Sequence, residues 1–223
     1  NANNFYIKNE IKNQKFSSKL IKINKHIDIK ILNKINNSYF NTDGNKENLS
    51  FVLNIAKILK VNKDILIKVL QKFKSLKYRQ QIVYHSKYLT IINDSKATSF
   101  SSSESLLKSL SNVYWIVGGL SKKGDTFSLS KNKCKNFKAY IFGKNNKFFI
   151  NELKNTMKYE TFFDLKSLIK KIIQDIKINE INKIKKHKTI LFSPAAASFD
   201  SFRNFEERGI YFNKLIKKYK NVK

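Results

Sequence analysis

Apolar residues alternate weakly over residues 1–41 (Phe5 and Ile7, then Ile21, Ile23, Ile27, Ile29 and Ile31), a period of two that predicts strands separated by polar loops. From Asn45 the spacing becomes helical, with Leu49, Val52, Leu53, Ala56, Ile58 and Leu59 on one stripe. A second helix follows, with Asn62 or Asp64 near its cap and Ile65, Leu66, Val69, Leu70 and Phe73 on its apolar face. Residues 75–79 break the pattern and mark a candidate domain boundary. Beyond them short apolar runs alternate with helical stretches. Strands are expected over 81–83, 89–93, 113–117, 137–142, 159–162 and 189–192. Helices are expected over 101–111, 149–154, 164–177 and 201–218, with a turn near 126–131. Such alternation predicts a mostly parallel α/β sheet covered by helices.

In sheets of that kind ligands bind at the carboxyl ends of the strands. Three predicted strands run into unusual sequence there: Asn93-Asp94-Ser95-Lys96-Ala97-Thr98, Gly118-Gly119-Leu120-Ser121-Lys122 and Ser193-Pro194-Ala195-Ala196-Ala197-Ser198. Parallel strands place all three on one edge, and that convergence is the main functional signal of the pattern.

Composition sharpens the picture. Hydrophobic residues make up 41% of 223, enough for a core. No run of 18 apolar residues exists, so no membrane span is expected. A single cysteine, Cys134, rules out an internal disulfide and a Cys-rich zinc site, which suits a reducing cytoplasm. The chain opens on Asn1 without an initiator Met or a basic-then-apolar leader, and reads as the middle of something longer. A net charge of +29 invites a nucleic-acid partner. Yet only three of the 45 basic residues are arginines, Arg79, Arg203 and Arg208, and they do not cluster as base readers do. Lysines are scattered with Asn and Ile throughout, as drift toward AT-rich codons produces, and no nucleic-acid partner is expected. Residues that resist such drift are informative. Pro194, Arg203, Arg208 and Gly209 fall within 16 residues, and Gly118, Gly119 and Gly124 within seven.

Each constellation admits a plain and a chemical reading. Asp94 can hydrogen-bond ribose hydroxyls or join a metal shell, and Lys96 offers charge to a phosphate or carboxylate; alternatively the segment is a polar turn with Ser101 as helix cap. The Gly118-Gly119 pair lets backbone amides approach an anion beside Lys122. The Gly-x-x-x-x-Gly-Lys-Ser/Thr phosphate loop is absent. Small residues at 195–198 suit close approach to a ligand or a helix, and Asp200 or Ser201 can cap the helix beyond; the plain reading there is capping plus a surface pair between Asn204 and Arg208. His26, His85 and His187 are isolated in the sequence from each other and from acidic clusters, so no nucleophile–His–acid set and no metal ligand set is expected.

These segments together resemble the Mur ligase family, and its D-glutamate-adding (MurD-type) branch. Asn45-x-x-Asn48 before an apolar helix is similar to the family's His-Asn-x-x-Asn, with Gly44 in place of His. Ser75-Leu76-Lys77-Tyr78-Arg79 is similar to Gly-Leu-x-His-Arg, with Tyr78 for His. Asn93 to Thr98 matches the branch signature, followed by Ser99 where Asn is common, whereas sibling branches carry Asp-Tyr-Ala-His-like sequence. Gly118-Gly119-x-x-Lys122 and the stretch from Leu191 to Gly209 complete the resemblance.

The resemblance implies that 1–76 are the C-terminal part of a central ATP-binding domain and 77–223 a D-glutamate-binding, Rossmann-like domain. The family's P-loop, magnesium ligands and uridine site would then lie upstream of Asn1. It implies ATP and Mg2+ as cofactors, with UDP-N-acetylmuramoyl-L-alanine and D-glutamate as the other substrates, in a cytoplasmic monomer. Asn48, Arg79 and Asp94 would hold ATP through adenine, phosphates and ribose respectively. Lys96, Thr98, Lys122, Ser198, Phe199 and Phe205 would hold D-glutamate, with Lys96 and Lys122 nearest the chemistry. The rival readings are a related amide ligase of the Mur or folylpolyglutamate type, and a non-catalytic basic binding protein.

Overall fold

The computed structural model describes residue 23 and residues 27–74, 76–144, 146–181 and 186–220. The chain divides into two compact units, 1–74 and 75–223. In the first, helices α1 (Ile29–Ile35), α2 (Asp43–Ile58) and α3 (Lys63–Lys72) are joined by a 3-10 turn over Ser38–Asn41. The expected early strands lie largely outside the described residues, but over 29–35 the expectation fails. Asp28 caps α1 by accepting from Lys30 N at 2.8 Å, and Asn36 ends it in the left-handed region at φ 42°. The isoleucines that suggested a period of two also recur at four, and Ile31 and Ile35 share the stripe that packs on Phe40, Leu49 and Leu70.

Asn62 caps α3, accepting from Asp64 N and Ile65 N at 2.9 and 3.1 Å. Asn37 closes the unit by donating to the carbonyls of Leu70 and Phe73, each at 2.9 Å. The apolar faces expected of these helices were drawn too wide: Leu49, Ala56 and Leu70 are buried, but Val52, Ile58, Leu59, Ile65 and Val69 are exposed. Among the described residues of this unit the three helices enclose only the stripe where they meet.

The second unit is a six-stranded sheet in the order β1-β2-β6-β3-β4-β5. Its strands are β1 (Gln81–His85), β2 (Leu89–Asn93), β3 (Val113–Gly118), β4 (Phe137–Phe142), β5 (Lys158–Phe162) and β6 (Lys188–Phe192). Only β1, at the edge, runs antiparallel. Helices α4 (Phe100–Leu107), α5 (Lys131–Cys134), α6 (Asn146–Leu153) and α7 (Leu165–Ile181) lie between successive strands, and α8 (Phe205–Lys220) follows β6.

Two cores explain why the strands read as nearly continuous apolar runs. Trp115, Val117, Ala139 and Ile141 face α4 and α6 through Phe100, Leu107, Phe149 and Leu153. Their neighbours Ile116, Tyr140 and Phe142 face the other way, onto Leu168 and Ile172 of α7 and Phe212 and Ile216 of α8. Phe192 and Phe212 stack there at 4.3 Å. Successive side chains in a strand point to opposite faces, so a sheet covered on both must be apolar at both parities. Among the described residues no helix is long and apolar enough to cross a membrane.

Candidate functional site

Because β6 inserts between β2 and β3, the three segments singled out by sequence leave neighbouring strands side by side. A dense polar network joins them. Asn93 is fully buried; its Oδ1 accepts from Ser95 N at 3.1 Å, and its Nδ2 donates to Gly209 O and Asn213 Oδ1 at 2.9 and 2.8 Å. Ser95 Oγ donates to Phe205 O at 2.8 Å. Arg208 donates from Nε to Ser95 Oγ at 3.1 Å and from Nη2 to the carbonyls of Ser95 and Ala196 at 2.7 and 2.9 Å. Trp115 Nε1 donates to Ser193 O at 2.8 Å. The β6 loop reaches β3 through Gly118 N to Pro194 O and a reciprocal pair between Leu120 and Ala197.

Arg208 is therefore not the surface partner of Asn204. It is wholly buried with no carboxylate bonded to it, and its Nη1 has no partner. Burial pulls its pKa down to about 10, partly offset by Asp200, so it stays a cation at neutral pH. It fastens the β2 loop to the β6 loop. The only hint of this in the sequence was survival of an arginine amid lysines.

The cap assignments also shift. Ser99, not Ser101, caps α4. Asn204 Oδ1 accepts from Glu207 N at 2.8 Å and caps α8, while residues 198–202 form a turn closed by Ser201 N and Phe202 N on Ser198 O. That turn delays the helix to Phe205.

Gly118 and Gly119 serve close approach of chains. At φ 145° a Cβ on Gly118 would run into the Phe142 carbonyl, and one on Gly119 (φ 125°) would stand 2.6 Å from Ala197 O. With its amide donated to Pro194 O, Gly118 is not the open anion donor expected of it.

Asp94 is 6% exposed; Oδ1 accepts from Gln80 N at 3.1 Å and Oδ2 from Ser193 Oγ at 2.9 Å. Burial pushes its pKa up from 3.8 to about 6, against the opposing pull of Ser193, the Gln80 amide and the nearby Arg79 charge. Lys96 N donates to Tyr78 O at 3.0 Å, and the Tyr78 ring covers Gly209 where a side chain would stand, so the turn carrying exposed Arg79 is fixed beside Asp94.

Among the expected amino-acid contacts, Lys96 Nζ lies 4.0 Å from the centroid of the Phe205 ring, a cation–π pair joining the β2 loop to the start of α8. Thr98 and Lys122 are exposed in the loops after β2 and β3; Ser198 is buried and Phe199 is 71% exposed in the loop after β6. Asn48 is exposed on α2, in the other unit. Two histidines that stand apart in sequence meet: His85 Nδ1 and His187 Nε2 each lie 2.9 Å from Thr90 Oγ1. No acid joins them in the hydrogen bonds of that cluster. A groove of about 1130 Å³ with Lys131, Lys154 and Lys158 on its walls opens at the amino ends of β3, β4 and β5, away from the convergence. Among the described residues no group of three or more His, Cys, Asp or Glu could hold a metal.

Comparison with known proteins agrees with the motifs. No protein-family model matches. The chain is 34% identical over 181 residues to the UDP-N-acetylmuramoylalanine--D-glutamate ligase of Wolbachia sp. subsp. Brugia malayi, covering 81% of this chain and 35% of that protein. It is 33% identical over 180 residues to the ligase of that name from Francisella philomiragia (79% and 42%), and 31% over 175 to that of Rickettsia prowazekii (78% and 38%). The chain thus spans only about two-fifths or less of the length of these relatives. A crystal structure of MurF from Acinetobacter baumannii shares the fold at TM-score 0.53 and 13% identity, covering 79% of this chain and 38% of that one. Motifs, sheet and relatives agree, and the chain belongs to the Mur ligase family.

Proposed function

We propose that this chain is the amino-acid-receiving part of an ATP-dependent ligase that joins D-glutamate to UDP-N-acetylmuramoyl-L-alanine. The observation that carries this reading is the Lys96–Phe205 pair on the edge shared with Thr98, Lys122 and Ser198. A dicarboxylate needs two separated cationic or donor groups and an apolar wall for its methylenes. Lys96 and Lys122, on loops of different strands, fit the first requirement, and Phe205 with Phe199 the second. The names of the relatives supply the identity of the amino acid.

In such a reaction ATP phosphorylates the alanine carboxylate. The D-glutamate amine attacks the acyl phosphate carbonyl, and the tetrahedral intermediate collapses to the amide with release of phosphate. Negative charge grows on oxygen in both steps, so fixed cations stabilise both transition states. Arg79, exposed beside Asp94, suits a phosphate. Asp94 has lone pairs left for a ribose hydroxyl, though its two present hydrogen bonds mainly fix the loop. By the family resemblance, Asn48 would serve adenine. Among the described residues no carboxylate cluster fits magnesium. A monomeric cytoplasmic enzyme accords with this reading.

The test is calorimetric titration of D-glutamate into the chain and its Lys122→Ala variant. Loss of one charge-assisted contact should weaken binding about tenfold or more. Equal affinity would remove Lys122 from the site.

A further inference from the structure

The segment carrying Lys122 is held by an outlay of acidic side chains unusual for this chain. Of only 16 acids in 223 residues, three bind the stretch 125–128. Asp125 Oδ2 accepts from Phe100 N at 2.7 Å. Glu152 Oε2, from α6, accepts from Phe127 N at 3.0 Å. Buried Glu104, from α4, takes both Ser128 donors, with Oε1 on the amide at 2.6 Å and Oε2 on the hydroxyl at 2.5 Å. Between the Phe127 anchor and Gly119 the chain makes one tight turn, Lys122 to Asp125, closed by Asp125 N on Lys122 O at 3.2 Å with Gly124 at φ 76°.

The Asp125 contact differs from the other two in what it joins. Phe100 is the first residue of α4, one residue beyond the Ser99 cap and two beyond Thr98. A carboxylate there also meets the positive end of the helix. The single bond Asp125–Phe100 therefore ties the turn that presents Lys122 to the loop that presents Lys96 and Thr98. These are the two sides of the proposed D-glutamate site.

We propose that Asp125 is a positioning residue that sets the span between the Thr98 loop and Lys122, and so the length of dicarboxylate the site accepts. This rests on the function proposed above, because it assigns Lys122 to one end of D-glutamate. Glu104 and Glu152 anchor the far end of the segment and the Leu120–Ala197 pair ties its near end to the β6 loop, while Asp125 supplies the bond from the Lys122 turn to the Thr98 loop. Without it Lys122 is still present, but its turn loses its bond to the Thr98 loop, the span between the two is held less closely, and a shorter dicarboxylate is rejected less strongly.

The experiment titrates D-glutamate and D-aspartate, which differ by one methylene, into the unaltered chain, Asp125→Ala and Asp125→Asn. Amide hydrogen exchange of β3 and α4 verifies the fold. Asp125→Ala should weaken D-glutamate by about tenfold, the scale of one lost hydrogen bond to a charged group, and narrow its preference over D-aspartate. Asp125→Asn keeps an oxygen acceptor for Phe100 N and should retain most of both properties. Unchanged D-glutamate affinity in Asp125→Ala would overturn the positioning role alone. So would an equal loss for both ligands, which marks general loosening. Absence of D-glutamate binding by the unaltered chain would overturn the function reading, and the positioning role with it.

Discussion

Asp94 gives the structure its sharpest quantitative consequence. Its carboxyl is buried under the β6 loop, with Ser193 Oγ and Gln80 N as its donors. Desolvation outweighs those bonds and the Arg79 charge, raising its pKa from 3.8 to about 6. The folded protein thus holds this proton more tightly than the unfolded chain does. The stabilisation it confers is complete below about pH 4 and is lost as pH rises through about 6. The gap between 3.8 and about 6 corresponds to about 3 kcal/mol. Asp94→Asn keeps an acceptor for Gln80 N and places an amide against Ser193 Oγ, which can accept from it, while removing the buried charge. The stability of Asp94→Asn relative to the unaltered chain should therefore rise by about 2.5 kcal/mol between pH 4 and pH 7, whatever its offset at pH 4. Urea unfolding at several pH values, followed by fluorescence of the fully buried Trp115, measures this directly. A gap between the two proteins that stays constant across that range would refute the argument. A group kept at such cost where three strand ends meet is also what a functional carboxylate looks like.

Two further outcomes follow from the packing of the strand ends. Gly118→Ala places a methyl against the Phe142 carbonyl at a φ only glycine adopts readily, and should destabilise by about 3 kcal/mol or more; a loss under about 1 kcal/mol in urea unfolding would show that the strand end can shift. Arg208→Met keeps the bulk but leaves the buried Ser95 and Ala196 carbonyls without their donor, offset partly by removal of a buried charge. A net loss of about 2–4 kcal/mol in the same assay is expected, and a neutral result would mean the two loops are held by their other bonds.

The alternation of strand and helix beyond residue 79 was legible because a sheet covered on both faces needs unbroken apolar runs, which no helix period mimics at that length. The carboxyl-edge convergence was legible for the same reason: parallel strands end together. The family was legible from short motifs that drift toward lysine had spared. Sequence misled where local pattern was ambiguous. Isoleucines spaced at two and at four residues fit a strand and a helix alike, and Asp28 with the left-handed Asn36 decided for α1. Only the tertiary structure put β6 between β2 and β3, since strand order depends on crossovers that leave no periodic trace. Only it showed that much of the polar chemistry of the three motifs faces inward. Asn93, Ser95, Ser193 and Arg208 bind one another's loops, while Thr98 and Lys122 are exposed and Lys96 lies over the Phe205 ring. A residue's type states what its atoms can donate or accept. Which partner takes them depends on segments brought together from as far as 120 residues apart, as with Asn93 and Asn213, and that is settled only when the core closes.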